Sequence, residues 1–351
     1  MNRGTNNVAI LAGNVTGSIV YTDADALSVG SVSSAEVAGG AITTTSGITT
    51  ANTTAGASGS VTLSTVNGSV VVSSPVITGT STVANSPGVD AAQSGSISIT
   101  AGGSGTISGA SSLATGGATV TSGAAGDTAQ VGNITLSATK VSADGGTAPF
   151  AVTFGTASAG TPTGNTAGKL LVTTTGAGTG GDIYITSAAP LTTGAVSATG
   201  AGASVNIATT AANPLTVAGA MSTIGGNVVL SSSGLLTVDA AIATSPAAGF
   251  AGFSGGAVAL TSTPDLLGRR GQSGAARGHS NHRRLDRVQC SSRAIAHTRA
   301  EAGSAATLHN FHSRAAQALL SAPAPRAQDL SRCDRTGGFP PRYLCRTIPL
   351  I

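Results

Sequence analysis

The sequence has no tryptophan, very little charge and, before Cys290, no cysteine. Only 9% of its 351 residues are charged and 3% are aromatic, whereas a typical soluble domain carries about 25% charged residues. Without cysteine, the chain before Cys290 can be neither a disulfide-stapled scaffold nor a structural zinc module. No run approaches the ~18 consecutive apolar residues that a membrane-spanning helix requires. The start, MNRGTNNVAILAGNVTGS, offers one Arg and an apolar stretch reaching only from Val8 to Ala12. That is too short for a secretory signal, so a secreted parent would carry its signal outside this chain. Low charge alongside 40% apolar residues also argues against simple disorder, which favours low hydrophobicity and high net charge.

What is present is small. There are 50 glycines, and the apolar set is mostly Ala, Val and Ile. Such side chains fill a thin interior between closely spaced backbones but not a wide one. The net charge of +4 averages two unlike regions. Up to Pro264 there are three basic residues (Arg3, Lys140 and Lys169) against eight acidic ones. From Asp265 onward there are fourteen Arg, no Lys and five acidic residues, with all five His, all three Cys and only seven of the glycines. The chain therefore divides into residues 5–264, a repeat region, and residues 265–351, a basic Arg-rich tail.

Within residues 5–264 one phrase recurs: Gly, a small or polar residue, then apolar–any–apolar closed by Ser, Thr or Ala. It reads GSVTLS at Gly59, GSVVVS at Gly68, GSISIT at Gly95, GNITLS at Gly132, GDIYIT at Gly181, GNVVLS at Gly226 and GAVALT at Gly256. Looser copies are GSIVYT at Gly17, GKLLVT at Gly168 and ASVNIA at Ala203. The period of two sets pairs such as Val61 and Leu63, Ile97 and Ile99, Ile134 and Leu136, Ile183 and Ile185, and Val228 and Leu230 on one face of a strand. Ser or Thr takes the other face. Glycine at about every sixth residue argues against helix, since each costs roughly 1 kcal/mol in a helix interior. NSPG at Asn85 and ADGG at Ala143 supply turns. A single coil buries too little apolar surface to offset its chain entropy, so the coils must stack and share a core. The intervals of 36, 37 and 36 residues from Gly59 through Gly95 and Gly132 to Gly168 are read as two coils of about 18 each. That reading gives about thirteen coils and a rod about 60 Å long.

The stretches GGDIYITSAAPLTTGAVSATG from Gly180 and GGNVVLSSSGLLTVDAAIATS from Gly225 resemble the repeats of bacterial filamentous-haemagglutinin-like adhesins, a likeness covering about Gly17 to Thr263. The resemblance implies an all-β fold, a right-handed parallel β-helix (β-solenoid), followed here by an irregular C-terminal tail. It also implies a non-enzymatic stalk or adhesion region of a large secreted or cell-surface protein, of which this chain is a fragment. The family's secretion module carries Asn-Pro-Asn motifs; this chain has only Asn213-Pro214-Leu215. Expected partners are a host or cell-surface glycan or protein, and further copies pairing through open solenoid ends; no nucleic acid and no membrane span are expected. The other classes are a low-complexity disordered spacer and a carbohydrate-active solenoid.

No catalytic, cofactor-binding or metal residue is assigned. Asp23 and Asp25 form the closest carboxylate pair and would share a face of an extended strand, as a glycosidase-type pair does. No His, Lys or Arg lies near them to complete a site, so a polar turn is the plainer reading. Glu36, Asp90, Asp127, Asp144, Asp182 and Asp239 are scattered, and Asp127, Asp144 and Asp182 adjoin glycine as turn residues do. A calcium β-roll needs Gly-Gly-x-Gly-x-Asp; the nearest approach, GGSGTI at Gly102, lacks the Asp. The Thr runs 43–45 and 173–175 suggest the flat Thr arrays of ice-binding solenoids, yet the spacing looks too ragged to align them in successive coils. Asn14, Asn52, Asn67 and Asn133 begin glycan-acceptor patterns that chance supplies in a chain so rich in Ser and Thr.

In the tail, Arg269, Arg270, Arg283, Arg284 and Arg287 could form a phosphate-binding patch. His279 and His282, with Cys290 or with His309 and His312, could be read as zinc ligands. Neither motif is complete. A plainer account is a frameshift near Pro264: Gly-Ala codons GGC-GCC read two bases out of phase yield CGC, an Arg codon. The tail is expected to be disordered or frameshifted. Residues 305–320 could form a short helix with Leu308, Phe311, Ala315 and Leu319 on one side.

Overall fold

A computed structural model describes residues 6–34, 42–51, 56–84, 86, 88–121, 125–159, 164–245 and 255–263. The boundary near Pro264, the tail with its Arg, His and Cys residues, Glu36 and Asn52 lie outside the described residues. The described chain is β-strands joined by turns, with a 3-10 turn at Gly178–Gly181, and almost every strand pairing is parallel. The exception is a hairpin in which Ser31–Ser33 pairs antiparallel with Thr44–Ser46.

Two long sheets organise the stack. A ten-stranded sheet runs through Ile19–Asp23, Val61–Thr65, Ile97–Ala101, Ile134–Ala138, Leu170–Thr174, Leu191–Ala201, Leu215–Val217 and Leu236–Val238, with Met221–Ile224 and Ile242–Ser245 extending it alongside. A nine-stranded sheet runs from Gly13–Thr16 and Ile48–Ala51 through Val76–Ile77, Ser112–Thr115 and Phe150–Phe154 to Ile183–Ser187, Val205–Thr209, Val228–Ser232 and Val258–Ser262. A four-stranded sheet of Ile10–Leu11, Leu27–Val29, Val70–Val72 and Ile107–Ser108 lies between them in chain order. Its column continues through single bridges from Ile107 to Val141 and from Val141 to Ile183.

Burial follows the alternation read from the phrases. Val61, Leu63, Ile97, Ile99, Ile134, Ile183, Ile185, Val228 and Leu230 are fully buried, and all belong to one apolar cluster. At about 1.5–3 kcal/mol for each buried Val, Ile or Leu, these repeated pairs are the main source of cohesion.

The coil size differs from the sequence expectation. Val61 pairs directly with Ile97, and Ile97 with Ile134, so the 36- and 37-residue intervals are each one coil, not two. Between the phrases at Gly59 and Gly95 the chain makes four more short strands, Val70–Val72 (opened by the copy at Gly68), Val76–Ile77, Ser81–Val83 and Ala91–Gln93. Strands of two or three small residues are too short to display a period. The main path of the ten-stranded sheet has eight strands, giving eight layers and a height of about 35 Å, not thirteen coils and 60 Å.

The phrase also changes place. The copies at Gly17, Gly59, Gly95, Gly132 and Gly168 open strands of the ten-stranded sheet, whereas those at Gly181, Ala203, Gly226 and Gly256 open strands of the nine-stranded sheet. In the later coils the interval falls to 22 residues from Ile183 to Val205 and 23 from Val205 to Val228, then rises to 30 from Val228 to Val258. The shortening coincides with the end of two three-stranded sheets. One is Ser81–Val83, Ala118–Val120 and Ala157–Ser158; the other is Ala91–Gln93, Thr128–Gln130 and Asn165–Thr166.

The invariant parts of the phrase have separate physical causes. Its glycine lies against the carbonyl of the glycine one coil earlier: a Cβ on Gly59 would stand 1.9 Å from the Gly17 oxygen, and one on Gly95 1.9 Å from the Gly59 oxygen. No side chain fits there. The small polar residue that follows accepts a hydrogen bond from its counterpart's amide in the next coil. Ser60 N donates to Ser18 Oγ (3.0 Å), Ser96 N to Ser60 Oγ (3.0 Å), Asn133 N to Ser96 Oγ (3.1 Å) and Lys169 N to Asn133 Oδ1 (2.9 Å). The later coils repeat the ladder: Ser204 N to Asp182 Oδ1 (2.8 Å), Asn227 N to Ser204 Oγ (3.1 Å) and Ala257 N to Asn227 Oδ1 (2.8 Å). The inward residue that ends a strand is often a buried Thr that donates to a glycine carbonyl beyond the turn. Thr65 reaches Gly68 (2.5 Å), Thr174 reaches Gly181 (2.5 Å) and Thr223 reaches Gly226 (2.6 Å). The buried hydroxyls of these three threonines are thereby satisfied, whereas that of Thr115, at the inward end of its own strand, has no partner among the described residues.

Candidate functional site

The acidic residues do not converge. Asp23 closes the strand Ile19–Asp23 pointing inward and is fully buried, while Asp25 lies in the following bend and is exposed. The strand ends between them, so they do not share a face, contrary to the expectation from spacing. The Asp23 carboxylate accepts bonds from Tyr21 Oη (2.8 Å) and the Val8 amide (3.0 Å) at Oδ2, and from the Asp25 amide (3.3 Å) at Oδ1. Burial alone would raise its pKa, but these bonds and one from the Ala24 amide outweigh it and hold the group below its ordinary 3.8. Tyr21 is pushed up to about 12, first by its own burial and then by the bond to Asp23 and the charges of Asp23 and Asp25. A carboxylate so fully engaged is a structural anchor.

A second pair, of buried Asp182 and half-buried Tyr184, repeats this chemistry. Tyr184 Oη donates to Asp182 Oδ2 at 3.0 Å, and burial followed by that bond raises the tyrosine pKa. Lys140, only 7% exposed, places Nζ 5.9 Å from the Tyr184 ring centroid, within cation–π range. Asp90 and Asp127 are buried and stacked in adjacent coils, the Asp90 amide donating to Asp127 Oδ1 at 3.0 Å. Both Asp90 oxygens are taken up by Ser86. Asp127 and Asp182 are thus buried anchors and not the surface turn residues expected of them. Asp144 does fit that expectation: it is exposed and accepts bonds from the Gly146 and Ala148 amides, which hold its pKa low. Asp239 is exposed. The signal for the Asp90–Asp127 pair was their separation of one coil, 37 residues.

Among the described residues no group of three or more His, Cys, Asp or Glu is placed to hold a metal ion, and no helix is long and apolar enough to cross a membrane. Of the acceptor-pattern asparagines, Asn14 and Asn67 are exposed, and Asn133 is half-buried within the amide ladder.

The outer face of the ten-stranded sheet carries a row of hydroxyls. Thr22, Ser64, Thr100, Ser137, Thr173, Ser197 and Ser222 occupy the same position in successive strands. Beside them run Thr62, Ser98 and Thr135. Much of the irregular spacing in sequence is absorbed in the turns, so this row stays aligned even though the sheet shifts register between Leu170 and Val172 and between Ala198 and Ala201. Of the two Thr runs, 43–45 lies in the separate hairpin and 173–175 contributes Thr173 to the row. Some hydroxyls bond along the row: Thr22 Oγ1 to Ser64 Oγ at 2.8 Å and Ser197 Oγ to Ser222 Oγ at 2.9 Å. The outer face of the nine-stranded sheet is mixed, with Tyr184, Asn206, Val229 and Ala259 in one row.

Fold and surface together define an all-β stack of parallel strands with an apolar interior and one hydroxyl-lined face. No protein-family model matches the chain, and no curated protein and no solved structure matches it.

Proposed function

We propose that the chain is a non-enzymatic stalk segment of a bacterial secreted or cell-surface adhesin, its strands winding as a right-handed β-helix. The observation that carries the reading is the unbroken column of parallel pairings through eight layers. Such a stack gains length by repetition, because each coil contacts only its neighbours. The right hand is supported by the general handedness of parallel crossover connections. The adhesin setting rests on the resemblance of the phrases from Gly180 and Gly225 to filamentous-haemagglutinin repeats. The extracellular location rests on the same resemblance. In this reading the hydroxyl face of the ten-stranded sheet is the contact surface offered to a host or cell-surface glycan or protein. The sheet edges Ile19–Asp23 and Leu236–Val238 offer end-to-end pairing with another copy.

Stretching the chain between its two ends tests the stalk reading. A stalk of stacked coils yields stepwise, releasing 42 residues from the first coil, 36 or 37 per step from those between Val61 and Leu170, 22 or 23 from those between Ile183 and Val228, and 30 from the last. Smooth extension without steps would identify a disordered spacer and overturn the proposal, as would one all-or-none rupture.

A further inference from the structure

The first coil is fastened differently from those stacked on it. At the inward corner that ends the first strand of the ten-stranded sheet stands Asp23, whose partner in the next layer is Thr65 and beyond that Ala101. Ala138 and Thr174 hold the same corner further on. Thr65 ties its turn with a hydroxyl that donates to Gly68 and accepts from the Gly102 amide (3.1 Å). A hydroxyl does that work at any pH. In the first layer a carboxylate does it instead.

The segment tied by Asp23 is the start of the described chain. The Val8 amide donates to Asp23 Oδ2, the Asn6 carboxamide donates to the Thr22 carbonyl (3.0 Å), and the Ala24 amide donates to the Asn6 carbonyl (2.8 Å). Ile10–Leu11 then covers the edge of Leu27–Val29, with the Ser28 amide bonded to the Ala9 carbonyl (3.0 Å) and the Gly30 amide to the Leu11 carbonyl (3.1 Å). This strand is two residues long and Ile10 is 47% exposed, so little apolar burial holds it.

The titratable groups around the Asp23 carboxylate are few. On its own strand there is Tyr21. In the following bend there is Asp25, whose Oδ2 accepts from Asn7 Nδ2 (3.1 Å). The segment beneath contributes Asn6, Asn7 and Val8, which do not titrate, and the strand above, Val61–Thr65, has no ionisable side chain.

We propose that Asp23 is an acid-released latch on the first coil: ionised, it fastens residues 6–11 to the stack, and once protonated it frees them and uncovers the edge of Leu27–Val29. A folded-state pKa below 3.8 sets the direction. The contribution is complete above the ordinary carboxylate range and disappears as pH falls through the lower, folded value. The coils above, tied by hydroxyls and apolar pairs, stay closed.

Hydrogen exchange of the full chain, corrected for intrinsic rates and followed from neutral pH down to about 2, tests this. Expected is loss of protection over residues 6–11 in acid while residues 97–101 and 134–138 stay protected. Tyr21→Phe removes the donor that most favours the carboxylate, so release should move to a pH about one unit higher. Asp23→Asn should exchange over residues 6–11 at least about tenfold faster at neutral pH, and Asp25→Asn should leave the transition in place. The latch is refuted if Tyr21→Phe does not move the transition, or if residues 6–11 open only together with residues 97–101. Absence of protection over residues 6–11 at every pH would refute it equally, and the Tyr21→Phe arm remains decisive even if Asp23→Asn fails to fold.

Discussion

The coils from Val61 to Leu170 enclose 36 or 37 residues and those from Ile183 to Val228 only 22 or 23, with a first coil of 42 and a last of 30, yet wide and narrow coils use the same phrase and the same amide ladder. The wide coils carry five strand positions, of which Ser81–Val83 and Ala91–Gln93 begin columns that stop at Ala157–Ser158 and Asn165–Thr166. The narrow coils keep only the two long sheets. The perimeter of a coil is therefore free to change, provided the residues in each column keep meeting their counterparts above and below. Stability is a property of the column, and the loops between columns set only the girth.

The junction between the two regions is where that claim is most exposed. Phe150 is fully buried and pairs with Ile185, the residue through which the wide coils hand over to the narrow ones. Phe150→Ala should cost about 3–5 kcal/mol, read as a lowered urea midpoint, and its exchange defect should appear on both sides of the junction. A defect confined to the wide coils would mean that the two regions fold as separate stacks.

Next in size is the glycine column. Gly95→Ala in the wide region would bring a Cβ to 1.9 Å from the Gly59 oxygen, and Gly226→Ala in the narrow region to 1.8 Å from the Ala203 oxygen. Each should destabilise by roughly 3 kcal/mol, the upper range for overpacking. Gly180→Ala, with nothing within 4 Å of the added carbon, should change stability by less than about 0.5 kcal/mol. Thermal melts of the three variants compare them directly. Equal effects would sink the close-approach account of the phrase.

The ladder gives the smallest contrast. Ser96→Ala removes the acceptor for the Asn133 amide, and Ser204→Ala that for the Asn227 amide. Both should cost about 1 kcal/mol, the usual net value of one hydrogen bond. A several-fold difference between them would show that rungs are worth unlike amounts in the two coil sizes.

The strands themselves were legible because Val61 and Leu63, or Ile134 and Leu136, alternate with hydroxyl residues over a full five-residue strand. Columns were not. Whether Gly168 and Gly181 open consecutive coils or different sheets depends on pairing across space, which no local pattern reports. Strands such as Val76–Ile77 and Ala157–Ser158 are too short to alternate, so the coil was read at half its length. Asp23 and Asp25 looked like a pair because they are two apart, but the strand ends at Asp23 and turns them apart. The outer hydroxyl row was hidden for a related reason. Its members stand 42, 36, 37 and 36 residues apart in the wide coils and 24 or 25 in the narrow ones, and a fixed period cannot follow them.

The amide ladder also has an arrow. In every rung the side chain belongs to the earlier coil and the amide to the later one, from Ser18 to Lys169 and again from Asp182 to Ala257. A polypeptide emerging amino end first would thus find each acceptor already seated when the next loop of chain arrives. Ala257 receives such a bond but has no side-chain acceptor of its own to pass on.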